Sequence, residues 1–497
     1  MGRTKVTKLI EIPRAKTRCD NWIGGEWRAA SGESLGVVSP YTGQVIGEVG
    51  TSTAEDVAAA VEAASEAAAR WRAVPIKERT QPLFRFRQLA LDHLEELANI
   101  VALESGKTLA EGRADVLKGL EVVEYALSLQ NRPGGAAEVS RGVSCEERRE
   151  PLGVVAGIVP FNFPAMVPMW MFPIAITLGN AFLLKPSEKV PLASRRLAEL
   201  MHEAGFPPGV FSLVQGGRDA AEALVDHPDV AAVGFVGSTP AARALYQRGT
   251  SLGKRVLALG GAKNHLIVAP DADPDVAIDG VVSSFTGCAG QRCMAASLLV
   301  AVGDVDSILD QVVERAGAMR LGADMGAIIE KPALERLGAA IEKAGADGAR
   351  LRVDGRQQAA PAGYEGGYWL APTILDRADP SWECAHKELF GPVLTIVRVD
   401  TLDDALALAT SSPYGNATSV FTSRGSVGRY VAERATTGMV GINIGVPVPR
   451  EPFSFGGTKD SRFGVGDITG RAGVEFWSFV KKVTSKWELQ PDKNWMS

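Results

Sequence analysis

The chain has 497 residues, 46% of them apolar and 22% charged, which is more than one ordinary core and enough apolar surface for two or three. Its net charge is −5 with lysine and arginine dispersed, which excludes the basic stripe of a nucleic-acid binder and leaves a small molecule as the expected partner. Cys19, Cys145, Cys288, Cys293 and Cys384 form neither a C-x-x-C pair nor a disulfide framework, so a reducing cytoplasm is the expected setting.

In chain order, the first sixteen residues are basic and break into charges and Pro13, which predicts a loose arm rather than a signal peptide. Residues 54–73 place Val57, Val61 and Trp71 at near-helical spacing behind the capping candidates Thr51, Ser52 and Thr53. Further helices are expected over 79–105 and 108–129, before the break Asn131-Arg132-Pro133-Gly134-Gly135. The charged alternation of 137–150 reads as a solvent-facing strand or hairpin. Residues 151–184 contain no Asp, Glu, Lys or Arg, a length that would suit a membrane span, but Pro160, Pro164, Pro168 and Pro173 interrupt it. Buried strand, loop, helix and strand is the better reading. Apolar strands at 154–159, 182–185, 210–214 and 232–236 alternate with helical segments. A second series has strands at 266–268, 298–302, 394–399 and 419–421 and helices over 274–285 and 304–318. Such alternation predicts right-handed crossovers and two parallel-sheet α/β domains.

The turn Gly287-Cys288-Ala289-Gly290-Gln291-Arg292-Cys293-Met294-Ala295 is where the chemistry is expected. A thiol attacks as thiolate, and Arg292 with the backbone N–H groups of a turn is expected to lower the Cys293 pKa from about 8.5. Read alone, Cys293 fits a buried structural thiol; the other motifs reverse that. No G-x-G-x-x-G occurs, and Gly106-Lys107-Thr108 is no phosphate loop because Val101 stands where its first glycine belongs. A dinucleotide is expected instead at Gly234-Phe235-Val236-Gly237-Ser238-Thr239-Pro240. There Gly237 would admit a pyrophosphate, Ser238 or Thr239 would cap the next helix, and the helix N-terminus would attract the anion. Lys185-Pro186-Ser187-Glu188 is either an exposed turn or a holder of adenosine ribose hydroxyls, with Glu188 repelling a 2′-phosphate and so favouring NAD.

Together these pieces resemble the aldehyde dehydrogenase superfamily from about Asn21 to Gly473. The motifs are Pro160-Phe161-Asn162-Phe163-Pro164, Lys185-Pro186-Ser187-Glu188, Phe235-Val236-Gly237-Ser238, Gly290-Gln291-Arg292-Cys293 and Glu388-Leu389-Phe390-Gly391-Pro392-Val393. The resemblance implies an α/β fold with two Rossmann-like parallel-sheet domains and a small β oligomerisation flap. The NAD-binding part would span 1–131 and 151–258 and the catalytic part 259–450. The flap would use 132–150 and 472–497, with 451–471 returning toward the active site and a homodimer or homotetramer as the assembly. It also implies that Cys293 is the nucleophile, with the Asn162 amide and the Cys293 N–H as oxyanion hole. Phe161, Lys185, Ser187, Glu188, Gly237 and Ser238 would hold NAD, Glu388 would bind the nicotinamide ribose, and Phe390 would position the ring.

Hydrolytic members of the superfamily have a Glu before a Leu-Gly-Gly turn as general base for water, and here Ala258 stands at that place. Coenzyme A attacks a thioester without so strong a base. The motifs Met166-Val167-Pro168-Met169-Trp170-Met171-Phe172-Pro173, Gly261-Ala262-Lys263-Asn264-His265 and Gly441-Ile442-Asn443-Ile444-Gly445-Val446-Pro447 are similar to the CoA-acylating, methylmalonate-semialdehyde dehydrogenase branch. A hydrolytic enzyme with another base, releasing a free acid, is the alternative. In that branch two arginines hold a substrate carboxylate and the acyl thioester loses carbon dioxide. Arg292 matches one of them, whereas the other position holds Lys118, a point charge instead of a bidentate fork. Trp170 falls on the substrate side by the same resemblance, and Arg450 is either a replacement cation or a solvated loop arginine. Malonate and methylmalonate semialdehyde lead as substrates, with simple short aldehydes left open by Lys118. Cys288 is expected to pack, or else to pair oxidatively with Cys293. His265 and His386 lie in no motif that sets them against the thiol, and the five His and five Cys lack metal-ligand spacing.

Overall fold

The computed structural model describes residues 9–13, 15–132, 134–140 and 142–487. Runs of small and β-branched apolar residues without a polar face can satisfy their backbone only as central strands covered on both sides. They form an eight-stranded sheet ordered Arg462–Phe463, Arg255–Leu259, Val230–Val236, Val154–Ile158, Ala181–Lys185, Phe211–Leu213, Asn21–Ile23, Glu26–Arg28. Its inner five strands are parallel and its outer pairings antiparallel. A seven-stranded sheet runs Arg350–Val353, Thr373–Asp376, Val393–Val399, Leu298–Val302, His265–Val268, Ala417–Phe421, Met439–Ile442, parallel but for its first pairing. Periodicity had not picked out Arg350–Val353, Thr373–Asp376 or Met439–Ile442, each only four residues long.

The helix Ala54–Trp71 starts in a capping box between Thr53 and Asp56, and Leu109–Ser128 in another between Thr108 and Glu111. The helix expected over 79–105 is two, Ile76–Asp92 and Leu94–Ser105. The chain leaves helical geometry at His93, where φ is −101° and ψ 19°. The N-terminal arm is tied down from residue 9, because the Leu9 and Ile10 N–H groups donate to the Tyr364 hydroxyl at 3.1 and 3.2 Å. Residues 1–8, the rest of that arm, lie outside the described residues.

The uncharged stretch becomes the strand Val154–Ile158, the helix Met166–Thr177 and the strand from Ala181, and that helix is buried at every position. Among the described residues no helix is long and apolar enough to cross a membrane. Gly135–Ser140, Val143–Pro151 and Ser478–Lys486 form a separate antiparallel three-stranded sheet, in which the tail pairs Ser478 with Pro151 through to Lys486 with Val143. The last ten residues of the expected flap, 488–497, lie outside the described residues.

One buried ion pair orients the loop on which the site is built. Lys107 Nζ lies 2.5 Å from Asp115 Oδ2, with the side chains 3% and 0% exposed. Asp115 Oδ1 accepts the Met166 N–H at 2.6 Å, and the Lys107 ammonium sits 3.8 Å from the Phe163 ring centroid. The pair thus joins the helix Leu109–Ser128 to the Phe161–Phe163 loop and the helix behind it. Removing one partner of a buried pair leaves an uncompensated charge. Lys107→Met is therefore expected to destabilise the chain by about 3–5 kcal/mol, and Lys107→Met with Asp115→Leu to recover part of the loss. Thermal and denaturant unfolding of both variants checks this, and equal losses in the two would refute it.

Candidate active site

A cavity of about 840 Å³ lies across the C-terminal ends of the parallel strands of the larger sheet and reaches Cys293. Lys185 ends one strand and is 4% exposed, so this segment is not the exposed turn that the sequence left open. Its Nζ donates to the Pro186 carbonyl at 2.8 Å and lies 3.7 Å from Glu188 Oε2, while burial brings its pKa down to about 8 against the pull of Glu188. Ser187 and Glu188 line the same cavity.

The next strand turns at Gly237 into the helix Thr239–Ser251. A Cβ at Gly237 would meet the Phe235 ring at 2.5 Å, so packing against that ring already requires glycine there. Neither hydroxyl caps the helix as expected: Ser238 occupies the N-cap position without a side-chain capping bond, and the Thr239 hydroxyl accepts the Gly261 N–H at 2.8 Å. The first turn therefore opens on the cavity without a side-chain cap. That arrangement fits a phosphate group, and a buried lysine beside a carboxylate fits a ribose diol.

At the other end, Phe161 and Phe390 meet edge to face with centroids 5.8 Å apart, and Phe390 holds a left-handed backbone at φ 57°. Glu388 Oε1 accepts the Ala262 N–H at 2.9 Å, and burial raises its pKa to about 7. Cys293 is delivered by a turn in which Cys288, Ala289 and Gly290 are all left-handed, at φ 52°, 51° and 68°. Such backbone costs about 1–3 kcal/mol per non-glycine residue and persists only where its surroundings hold it. Four side chains do so. Glu111 Oε1 accepts the Cys288 N–H at 2.5 Å, Asn264 and Asn416 each donate an amide N–H to the Cys293 carbonyl at 2.8 Å, and Gln291 accepts the Ile329 N–H at 3.0 Å. Asn162 Nδ2 donates to the Gln291 carbonyl at 3.0 Å, which leaves its second N–H for the cavity that Asn162 and Cys293 line.

The expectation of a thiol acidified by Arg292 is overturned. Burial pushes Cys293 up to about 12, with Glu388 adding to the rise, and the pull of Arg292 and the backbone N–H groups is smaller. The arginine is directed elsewhere: its Nε donates to Cys288 Sγ at 3.3 Å and a terminal nitrogen lies 3.9 Å from Glu111 Oε1.

Cys293 also opens on a second cavity of about 210 Å³, lined by Arg292, Lys118 and Trp170. Trp170 packs on Phe455, their centroids 4.6 Å apart. Arg450 does not line this cavity; it is exposed, so its solvated alternative holds, and its neighbour Glu451 is the residue on the wall. Sequence reasoning had assigned no role to Asn264, Asn416, Glu111, Glu121 or Glu451. Only Glu111 carried a local signal, as the fourth residue of the Thr-x-x-Glu capping box. Ala258 is buried in the strand Arg255–Leu259, between Phe235 and Phe463, and carries no carboxylate. His265 is buried and held down at about 4, hence neutral. Cys288 is buried, and all five cysteines are free. Among the described residues no three His, Cys, Asp or Glu side chains group as a metal site.

The pattern of the aldehyde dehydrogenase family matches residues 27–483. Among curated relatives, malonate-semialdehyde dehydrogenase 2 of Geobacillus kaustophilus is 43% identical over 477 residues, covering 94% of this chain and 98% of its own. The acylating mitochondrial methylmalonate-semialdehyde dehydrogenase of Arabidopsis thaliana is 43% identical over 488 residues, covering 96% and 80%. Among solved structures, a putative methylmalonate-semialdehyde dehydrogenase of Sinorhizobium meliloti complexed with NAD superposes with a TM-score of 0.94 at 39% identity, covering 97% of this chain and 100% of that one.

Because burial outweighs the nearby arginine, alkylation of Cys293 in the cofactor-free chain should accelerate about tenfold per pH unit from pH 7 to 10, following the small thiolate fraction. Iodoacetamide labelling with peptide mass spectrometry measures it; a plateau below pH 8 would show that Arg292 prevails.

Proposed function

This chain belongs to the aldehyde dehydrogenase family, and on that premise we propose that it oxidises a short-chain aldehyde with NAD through a thioester on Cys293 and passes the acyl group to coenzyme A. The observation that carries the transfer step is a thiol shared by two cavities with alanine at position 258. With no carboxylate there to activate water, a thiol is the better acceptor of the acyl group.

In this reading the helix Thr239–Ser251 receives the phosphates, Lys185 and Glu188 the adenosine ribose, and Glu388 and Phe390 the nicotinamide end. NAD, held by these residues, would supply the hydride acceptor for oxidation of the aldehyde carbon. Cys293 adds to the aldehyde carbon, and the free Asn162 N–H with the Cys293 N–H stabilises the oxygen on which negative charge develops. Trp170, Arg292 and Lys118 border the aldehyde. Malonate and methylmalonate semialdehyde, after which the relatives are named, are the reference substrates. The division into an NAD-binding part, a catalytic part and a flap belongs to the same proposal, as do assembly of identical subunits through the three-stranded sheet and a cytoplasmic setting for five free thiols.

One observation favours hydrolysis as a second reading. Glu388 shares the cavity of Cys293, and a carboxyl near 7 is in the range of a general base, although one of its oxygens is engaged by the Ala262 N–H.

The two readings separate on omission of coenzyme A. Sustained NADH formation is expected only with the thiol present; without it, intact-protein mass spectrometry should find the acyl group on Cys293. Sustained turnover to free acid without coenzyme A would establish hydrolysis. Asn162→Ala is expected to lower kcat by roughly a hundred- to a thousandfold, the loss of one oxyanion donor.

A further inference from the structure

Arg292 is half-buried on the wall of the smaller cavity, and its guanidinium is hydrogen-bonded at one position only. Nε donates to Cys288 Sγ at 3.3 Å. A Cβ at Gly287 would fall within 2.5 Å of Cζ and of both terminal nitrogens at once, so the face of the group lies directly on that glycine. Neither terminal nitrogen has an acceptor within hydrogen-bond distance among the described residues, and Glu111 Oε1 is 3.9 Å away. Glu111 is kept from closing on the arginine, because Oε1 accepts the Cys288 N–H at 2.5 Å and Oε2 accepts the Thr108 N–H at 2.9 Å. The other carboxylates of the wall are engaged as well: Asp115 by Lys107 and the Met166 N–H, Glu121 by Lys118, and Glu451 by the Thr469 hydroxyl. The open hydrogen-bonding group of this wall is therefore a pair of coplanar donors.

We infer that Gly287 and Cys288 are positioning residues that set the choice of aldehyde: they seat the Arg292 guanidinium so that its terminal nitrogens stay open as a fork for a carboxylate at the far end of the substrate. The inference rests on the acyl-transfer reading above and narrows its short aldehydes to those that end in a carboxylate. Two parallel N–H···O bonds to a carboxylate need both nitrogens free and the plane of the group fixed. Glycine at 287 supplies the space, since any side chain there would push the guanidinium off its seat. The Cys288 sulfur fixes the rotation, because an acceptor on Nε turns the edge that carries the two terminal nitrogens away from Cys288. A guanidinium held in this way before binding loses little freedom when the carboxylate arrives. Lys118 adds attraction without such geometry, being a point charge already held 2.7 Å from Glu121. A volume of about 210 Å³ holds only a short stem between the aldehyde carbon and the carboxylate.

The test compares 3-oxopropanoate with propanal, which share a carbon count and differ at the far end, with NAD and coenzyme A present. In the unmodified enzyme kcat/KM should favour 3-oxopropanoate by about ten- to a hundredfold, the worth of charge-assisted hydrogen bonds. Gly287→Ala should bring the ratio of the two close to one, chiefly by raising KM for 3-oxopropanoate. Cys288→Ala should lower the ratio by about three- to tenfold, and Cys288→Ser, in which a hydroxyl can accept the same N–H, should restore most of it. A merely structural role would lower both aldehydes together in each variant and leave the ratio where it was, which overturns the inference. Equal behaviour of Cys288→Ser and Cys288→Ala overturns it too. An unmodified enzyme that acylates Cys293 and passes the acyl group to coenzyme A without preferring 3-oxopropanoate overturns the inference and leaves the function standing. Failure of both aldehydes to acylate Cys293 removes the function and the inference together.

Discussion

The Cys293 carbonyl, gripped by the amides of Asn264 and Asn416, is the constraint on which the site depends. The two asparagines immediately precede the neighbouring strands His265–Val268 and Ala417–Phe421 of the seven-stranded sheet, and Asn264 also accepts the Ala417 N–H at 3.0 Å, so they lock each other as well as the loop. Upstream, three left-handed residues would unwind without the Glu111 carboxylate on the Cys288 N–H. Cys293 is therefore placed by its backbone, and its side chain stands at the meeting point of two cavities.

Desolvation decides the charge state of almost every functional group here. It raises the thiol of Cys293 and the carboxyl of Glu388 and lowers the ammonium of Lys185, each toward its neutral form. Fixed charges nearby modulate these shifts without reversing them. A Cys293 thiol held protonated by burial reacts slowly with adventitious electrophiles, and a charged ligand entering the site meets little screening by water.

The two cavities divide the labour physically. The larger has an uncapped helix start, a buried lysine and a carboxylate, the donors and acceptors that a dinucleotide requires, and it joins the strand ends where the parallel sheet leaves backbone groups accessible. The smaller is walled by aromatic rings and closely spaced charges.

The sequence by itself determined the alternation of strands and helices, the uncharged core segment, the motifs that bring Asn162, Lys185, Glu388 and Cys293 to one cavity, and the alanine at 258. These are local properties: periodicity follows from backbone geometry, and a motif is read from neighbours in the chain. Its failures were at features with no local signature. Whether Arg292 or burial rules the Cys293 thiol depends on everything packed around the sulfur. The supports of the loop come from Glu111, 177 residues before Cys288, and from Asn416, 123 residues after Cys293. Of the adjacent pair Arg450 and Glu451, one faces solvent and the other the cavity. Only the tertiary structure could decide these points, because desolvation and side-chain direction are set by contacts between residues that the chain brings together late.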